Sequence, residues 1–125
     1  MKKTRDNITR LAPDEIIVVG TNLAGAHGGG AAAQAHRDFG LEWGVGQGLS
    51  GQTYALPTLG RKLEKRNDEQ LTMSIRKLWK CARENPGKIF LLTKVGCGIA
   101  GYDEEYIADK FKGAPDNIIK PEGWL

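Results

Sequence analysis

Two clusters of glycine carry the chemistry that this chain advertises. The first is His27-Gly28-Gly29-Gly30, five residues after Asn22, and the second is Gly96-Cys97-Gly98-Ile99-Ala100-Gly101, followed by Tyr102. Glycine lets successive backbone N–H groups converge and lets a ligand lie against the main chain. A helix starting after such a loop adds a partial positive charge. Two such loops side by side suit an extended ligand with a diphosphate at its middle. Neither is a Walker A loop, since no Gly-Lys-Ser/Thr follows, and neither has G-x-G-x-x-G spacing. Taken alone, Gly28-Gly29-Gly30 reads equally well as a tight turn.

Side chains near these loops offer little acid–base chemistry. No carboxylate lies between Asn22 and Asp38. His27 is the one titratable candidate in the first loop, and a histidine ordinarily titrates where a general base is useful. The competing and stronger reading makes it a surface loop residue. Cys97 offers a nucleophile in principle, and a small packing residue in the commoner case. Asp103 and Glu104 read as helix-start acids. Arg61, Lys62, Lys65 and Arg66 form a basic run, which would serve a nucleic-acid binder. Glu64 interrupts it and Asp68 and Glu69 follow it, so a solvated surface is the stronger reading.

The elements that must position the loops follow from the hydrophobic pattern. Glu15-Ile16-Ile17-Val18-Val19-Gly20 is a β-branched run of the kind found in buried strands. It empties into the first glycine loop, after which Ala31 to Phe39 reads as a helix stopped by Gly40. Gly44 to Gly51 reads as a loop, Gln52 to Leu56 as a short strand ended by Pro57, and Leu59 to Arg66 as an exposed connection. Asn67 is placed to cap a helix from Asp68 to Asn85, with Leu71, Ile75, Leu78, Trp79 and Ala82 on one stripe. Lys88 to Thr93 is the second clear strand and enters the second glycine loop. Asp103 caps a helix to about Lys112, and Asn117-Ile118-Ile119 is the last strand. The alternation predicts an α/β fold with a mixed central sheet flanked by helices, in one domain over 1–125. It also predicts that the strands at 16–19 and 89–92 run close together, so that the two glycine loops share one crevice at the carboxyl edge of the sheet.

Bulk composition narrows the classes of function. A net charge of +3 in 125 residues is too mild for a dedicated nucleic-acid binder, yet it suits an anionic ligand. Two cysteines cannot make a disulfide framework, and with two histidines they make no convincing metal site. The basic start has no apolar run after it and no stretch is long enough to span a membrane, so a cytoplasmic protein is expected.

Val19-Gly20-Thr21-Asn22, His27-Gly28-Gly29-Gly30 and Gly98-Ile99-Ala100-Gly101-Tyr102 together resemble the macrodomain superfamily, which binds ADP-ribose. From about Ile16 to Trp124 the layout is similar to small phage-associated macro-like proteins with a Gly-Ser/Thr-Asn-Leu-Ala-Gly start. The resemblance implies a compact macrodomain-like fold and capture of ADP-ribose or a cyclic ADP-ribose signal. In a phage protein, that would be anti-defence sequestration in the host cytoplasm. It implies that Asn22 contacts the ribose nearer the reactive end and is the best candidate for a catalytic role. On the same basis Gly28, Gly29 and Gly30 lie along that ribose and the phosphates, Gly96 to Gly101 supply N–H groups to the diphosphate, and Tyr102 packs on a sugar or ring. Bland alternatives stand beside two of these: Asn22 as a turn-former, Tyr102 as a core residue. The chain is shorter than usual macrodomains. The adenine-binding aspartate has only Asp6 or Asn7 near its place, about one residue out of register. Where poly-ADP-ribose-cleaving members carry paired glutamates, Ala31-Ala32-Ala33-Gln34-Ala35 has no acid. A binder is therefore expected ahead of an ADP-ribosyl hydrolase in which Asn22 positions water, with nucleic-acid binding third.

Overall fold

The computed structural model describes residues 3–5 and 7–124. Its centre is strand β1, Glu15–Asn22, flanked in parallel by β3 (Thr53–Leu59) and β4 (Ile89–Leu92). The edges are β2 (Gly48–Ser50), antiparallel to β3, and β5 (Ile118–Ile119), parallel to β4. The order is thus β2-β3-β1-β4-β5, a mixed five-stranded sheet.

Three helices cover it. Helix α1 (Gly30–Asp38) follows β1, α2 (Asp68–Glu84) links β3 to β4, and α3 (Glu104–Lys110) links β4 to β5. Alternate residues of the central strands feed two cores. Ile17, Val19, Ala55 and Leu91 pack with Ala32 and Ala35 of α1. Ile16, Val18, Leu56 and Phe90 pack with Leu71, Ile75 and Leu78 of α2 and with Ile107 of α3. Burial on both faces explains why β1 has no polar alternation. The chain is an α/β fold with one helix on one face and two on the other. Among the described residues, no helix is long and apolar enough to cross a membrane.

Helix α2 bears out its expected stripe: Leu71, Ile75, Leu78 and Ala82 are buried and Trp79 is half-buried. Its start is a reciprocal cap, in which the Gln70 N–H donates to Asn67 Oδ1 and the Asn67 N–H to Gln70 Oε1.

Three expectations need correction. β1 does not end at Gly20 but continues to Asn22, with a bulge between Thr21 and Asn22. β3 does not stop at Pro57. Ile17 donates to the Gln52 carbonyl, so in this parallel ladder the even-numbered residues of β3 bond to β1. Pro57 is odd, and its missing N–H faces outward, beyond the last pairing of β2 at Gly48–Ala55. The stretch 44–51 is not all loop. Gly51, with φ +58, and Gln52 turn β2 into β3, the Gly-X arrangement of a two-residue hairpin.

Candidate functional site

A crevice of about 560 Å³ opens at the carboxyl ends of β1, β3 and β4. Its position follows from the topology. α1 leaves β1 for one face of the sheet and α3 leaves β4 for the other. The two glycine loops therefore diverge from adjacent strands, which leaves a gap at the sheet edge. Gly20 lets the strand ends close beneath it: a Cβ there would stand 3.3 Å from the Gly96 nitrogen and 3.4 Å from Thr58 Oγ1.

The first wall is Asn22 with Gly28, Gly29, Gly30, Ala31 and Ala32. Asn22 shapes it. Its Nδ2 donates to the Ala26 carbonyl at 2.8 Å and its Oδ1 accepts from the Ala26 N–H at 3.1 Å. The side-chain amide, expected to reach a ribose, is thus engaged on both atoms by its own loop while still lining the crevice. The backbone of Gly44–Gly46 lies against the loop. Gly44 donates to the Gly25 carbonyl, and the Thr21 hydroxyl donates to the Gly46 carbonyl at 2.7 Å. α1 begins at Gly30 without a side-chain cap or an acid in its first turn. The first intrahelical bond runs from Ala33 to the Gly29 carbonyl, so the N–H groups of Gly30, Ala31 and Ala32 have no intrahelical acceptor. They form a donor set at the positive end of a helix.

The second wall is Thr93, Lys94, Val95 and Gly96 with Gly98, Ile99 and Ala100. Gly96 has φ +77, and a Cβ there would come within 3.0 Å of the Tyr102 ring. Cys97 and Gly101 spend their N–H groups on turns, to the Lys94 and Gly98 carbonyls. Among the described residues, none accepts from the N–H of Gly98, Ile99 or Ala100. A helix starts behind each loop, as expected, but the two starts are not equivalent. α3 is short, and Asp103 accepts from the Glu105 N–H with Glu104 and Glu105 in the first turn. Its own acids satisfy it.

A third wall was not legible in the sequence. Thr58, Leu59 and Leu63 close the β3 side. The connection after β3 is a tight turn in which Gly60 donates to the Glu64 carbonyl and Leu59 pairs with Lys65. Leu63 stands in it with φ +62.

Several expected site residues lie off these walls. His27 is not the surface loop residue expected: it is buried, its Nε2 is 2.9 Å from the Glu42 carbonyl, and its ring packs against Trp43 and His36. Cys97 donates to the Val95 carbonyl at 3.4 Å, and burial, followed by the charge of Glu104, pushes its thiol pKa up. That is the wrong direction for a nucleophile. Tyr102 packs against the core and stacks on Tyr106. Its hydroxyl is within hydrogen-bond distance of the Thr58 and Arg66 carbonyls and accepts from the Arg66 N–H. Tyr102 thus ties the second wall to the third. Gly101 accepts from Lys65 Nζ at 3.0 Å. Asn7 is exposed with φ +50 and does not line the crevice, and Asp6 lies outside the described residues.

Charge on the walls is simple. Lys94 is the one ionisable lining residue among those described, and it pairs with Glu104 at 3.2 Å. Among the described residues, none that lines the crevice carries a carboxylate. The basic run is divided: Lys65 lies over the Tyr102 ring, Arg66 donates to Pro57 and Ser74, and Arg61 and Lys62 are exposed. Among the described residues, no three His, Cys, Asp or Glu side chains gather as a metal site. Comparison with protein-family models, curated proteins and solved structures finds no match to this chain.

Proposed function

We propose that the chain binds an ADP-ribose-like nucleotide in the crevice and holds it without turnover. One observation carries this reading: Gly30–Ala32 and Gly98–Ala100, whose backbone N–H groups have no acceptor among the described residues, line one crevice, and no described lining residue carries a carboxylate. Backbone donors fixed by the fold suit a diphosphate, because hydrogen bonds to an ionised acceptor are among the stronger ones. The volume falls within the usual range of small-molecule sites, about 300–1,000 Å³. The macrodomain resemblance of the loop motifs points to the same ligand class, and capture of a nucleotide signal is the job it suggests.

Hydrolysis of a glycosidic link needs a group to activate water or protonate the leaving oxygen, worth typically about 10²–10⁴-fold. Asn22 is the best-placed polar side chain for positioning water, but Ala26 occupies both ends of its amide. The expected result is stoichiometric binding of ADP-ribose or cyclic ADP-ribose by calorimetry, with the nucleotide recovered unchanged after denaturation. Multiple turnover of an ADP-ribosylated substrate, abolished in Asn22→Ala, overturns the binder in favour of a hydrolase. Absence of binding to either nucleotide overturns both.

A further inference from the structure

We propose that the outward face of α2 docks into the major groove of duplex DNA and binds its phosphates, at a site separate from the crevice. From Gln70 to Arg83 the helix carries four cations, Arg76, Lys77, Lys80 and Arg83, and no carboxylate. All four are exposed, and among the described residues none has a side-chain hydrogen bond or an ion pair. Cations elsewhere are engaged: Lys94 with Glu104, Lys110 with Asp68, Lys112 with Asp109, and Arg66 with Pro57 and Ser74. A single exposed charge is ordinary on a protein surface. On α2, however, Arg76 precedes Lys80 by four residues, and Lys80 stands three from both Lys77 and Arg83. Like charges at these spacings weaken a helix. Glu84, four residues after Lys80, forms no ion pair with it. A face that weakens its own helix and meets no internal partner suits an anionic one. The net charge of +3 conceals it, because carboxylates gather elsewhere, at Asp103, Glu104, Glu105 and Asp109 on and beside α3.

The arrangement suits a groove better than a flat surface. At 3.6 residues per turn, Arg76 and Arg83 fall within about 20° of each other on one flank, and Lys77 lies about 100–120° away on the other. Lys80 lies between them, opposite the buried stripe of Leu71, Ile75, Leu78 and Ala82. The four span roughly 10 Å along the axis. A flat anionic membrane meets the crest of such a rod and leaves its flanks unpaired. The major groove of B-DNA is about 12 Å wide and admits a helix between two walls of phosphate, so both flanks meet anions. Duplex RNA offers only a deep, narrow major groove. Phosphate contacts carry no sequence information, so the docking does not depend on base sequence. The face is also clear of the crevice. α2 leaves β3 at the crevice edge of the sheet and returns to the start of the parallel strand β4, which puts its cationic second half towards the opposite edge.

The test is fluorescence anisotropy of a labelled DNA duplex of about 20 base pairs, titrated with the whole chain from about 25 to 100 mM salt. Four phosphate contacts give a log–log slope of about −3.6, a loss of roughly 150-fold in affinity over that range. The double variant Arg76→Gln/Lys80→Gln should show a slope of about −1.8, a loss of roughly twelvefold. Glutamine is a good helix former and the change relieves like-charge repulsion, so the melting temperature should not fall. Arg61→Gln/Lys62→Gln, in the exposed connection after β3, should keep the wild-type slope. An RNA duplex of the same length and vesicles containing phosphatidylserine should both bind more weakly than the DNA. Absence of DNA binding at the lowest salt overturns the proposal. So does a wild-type slope in the folded α2 variant, equal affinity for the RNA duplex or the vesicles, or displacement of the DNA by ADP-ribose, which would place it in the crevice.

Discussion

Replacing Gly29 by valine separates folding from binding, because the two costs can be worked out independently. Gly29 caps α1 in an extended conformation, φ −156 and ψ 168, which any residue adopts. A Cβ there meets only Ile99 Cδ1, at 3.8 Å, an ordinary contact. Valine is a poorer cap than glycine by roughly 1 kcal/mol. Stiffening the unfolded chain returns about 0.4–1 kcal/mol. The net change should move the melting temperature by less than about 4 °C. Binding fares differently. The new side chain is added to a lining residue next to Gly30, Ala31 and Ala32, where it is expected to crowd a phosphate held by their N–H groups. A hydrogen bond to a charged group is worth about 1.5–3 kcal/mol, so blocking two costs about 3–6 kcal/mol, or roughly 10²–10⁴-fold in Kd. Calorimetry with ADP-ribose on the folded variant reads this directly. Wild-type affinity in a variant with a wild-type melting curve refutes the placement of phosphate on this loop.

Gly25→Ala should do the reverse and damage the fold. Its φ is +72 and a Cβ would stand 2.2 Å from the Gly44 carbonyl carbon, so left-handed strain of about 1–2 kcal/mol adds to overpacking of about 1–3 kcal/mol, read as a lower urea midpoint. Asn22→Ala removes both bonds to Ala26 and should lower stability by about 1–3 kcal/mol and weaken ADP-ribose binding together, since the amide shapes the loop; loss of binding at unchanged stability would show that it touches ligand instead. Asp68 is held below its ordinary pKa of 3.8 by bonds from Lys110 and then Tyr106. A depressed folded pKa stabilises above the unfolded value and is lost as pH falls through the folded one. The stability gap between the wild type and Asp68→Asn should therefore stay level from neutral pH to about pH 5 and shrink below about pH 4. A gap that widens on acidification contradicts the pairing.

The parts of the fold legible in the sequence were those that repeat a physical signal over several residues. β1 and β4 are unbroken apolar runs because both of their faces are covered. α2 shows its stripe and its Asn67–Gln70 cap. β2 was missed because it has three residues, starts at a glycine and points Leu49 outward, so it carries no alternation to read. The Gly51-Gln52 pair between Ser50 and Thr53 was the available signal. Pro57 misled because a proline stops a strand only where its N–H is needed. Which side that N–H faces is fixed by the register with β1, a fact of the sheet and not of the local sequence.

For the crevice, backbone and side chains differ in what a sequence reveals. Clustered glycines report backbone approach directly: a Cβ at Gly20 would be tight against Gly96 and Thr58, and Gly96 combines a close approach to Tyr102 with a positive φ. Adjacent side chains have no such code, because a loop lacks the periodicity that fixes direction in a helix or strand. His27, Cys97 and Tyr102 share a loop or its edge with the donor residues, yet each turns to its own partner: a carbonyl and two rings, the Val95 carbonyl, and the loop after β3. Leu63 is the converse case. In the sequence it is one apolar residue within a charged connection, and only the tight turn at Gly60–Glu64 swings it onto the crevice. A site built from main-chain donors makes this division unavoidable. The groups proposed to meet phosphates belong to every amino acid alike, and in that proposal their arrangement, not their identity, supplies the recognition.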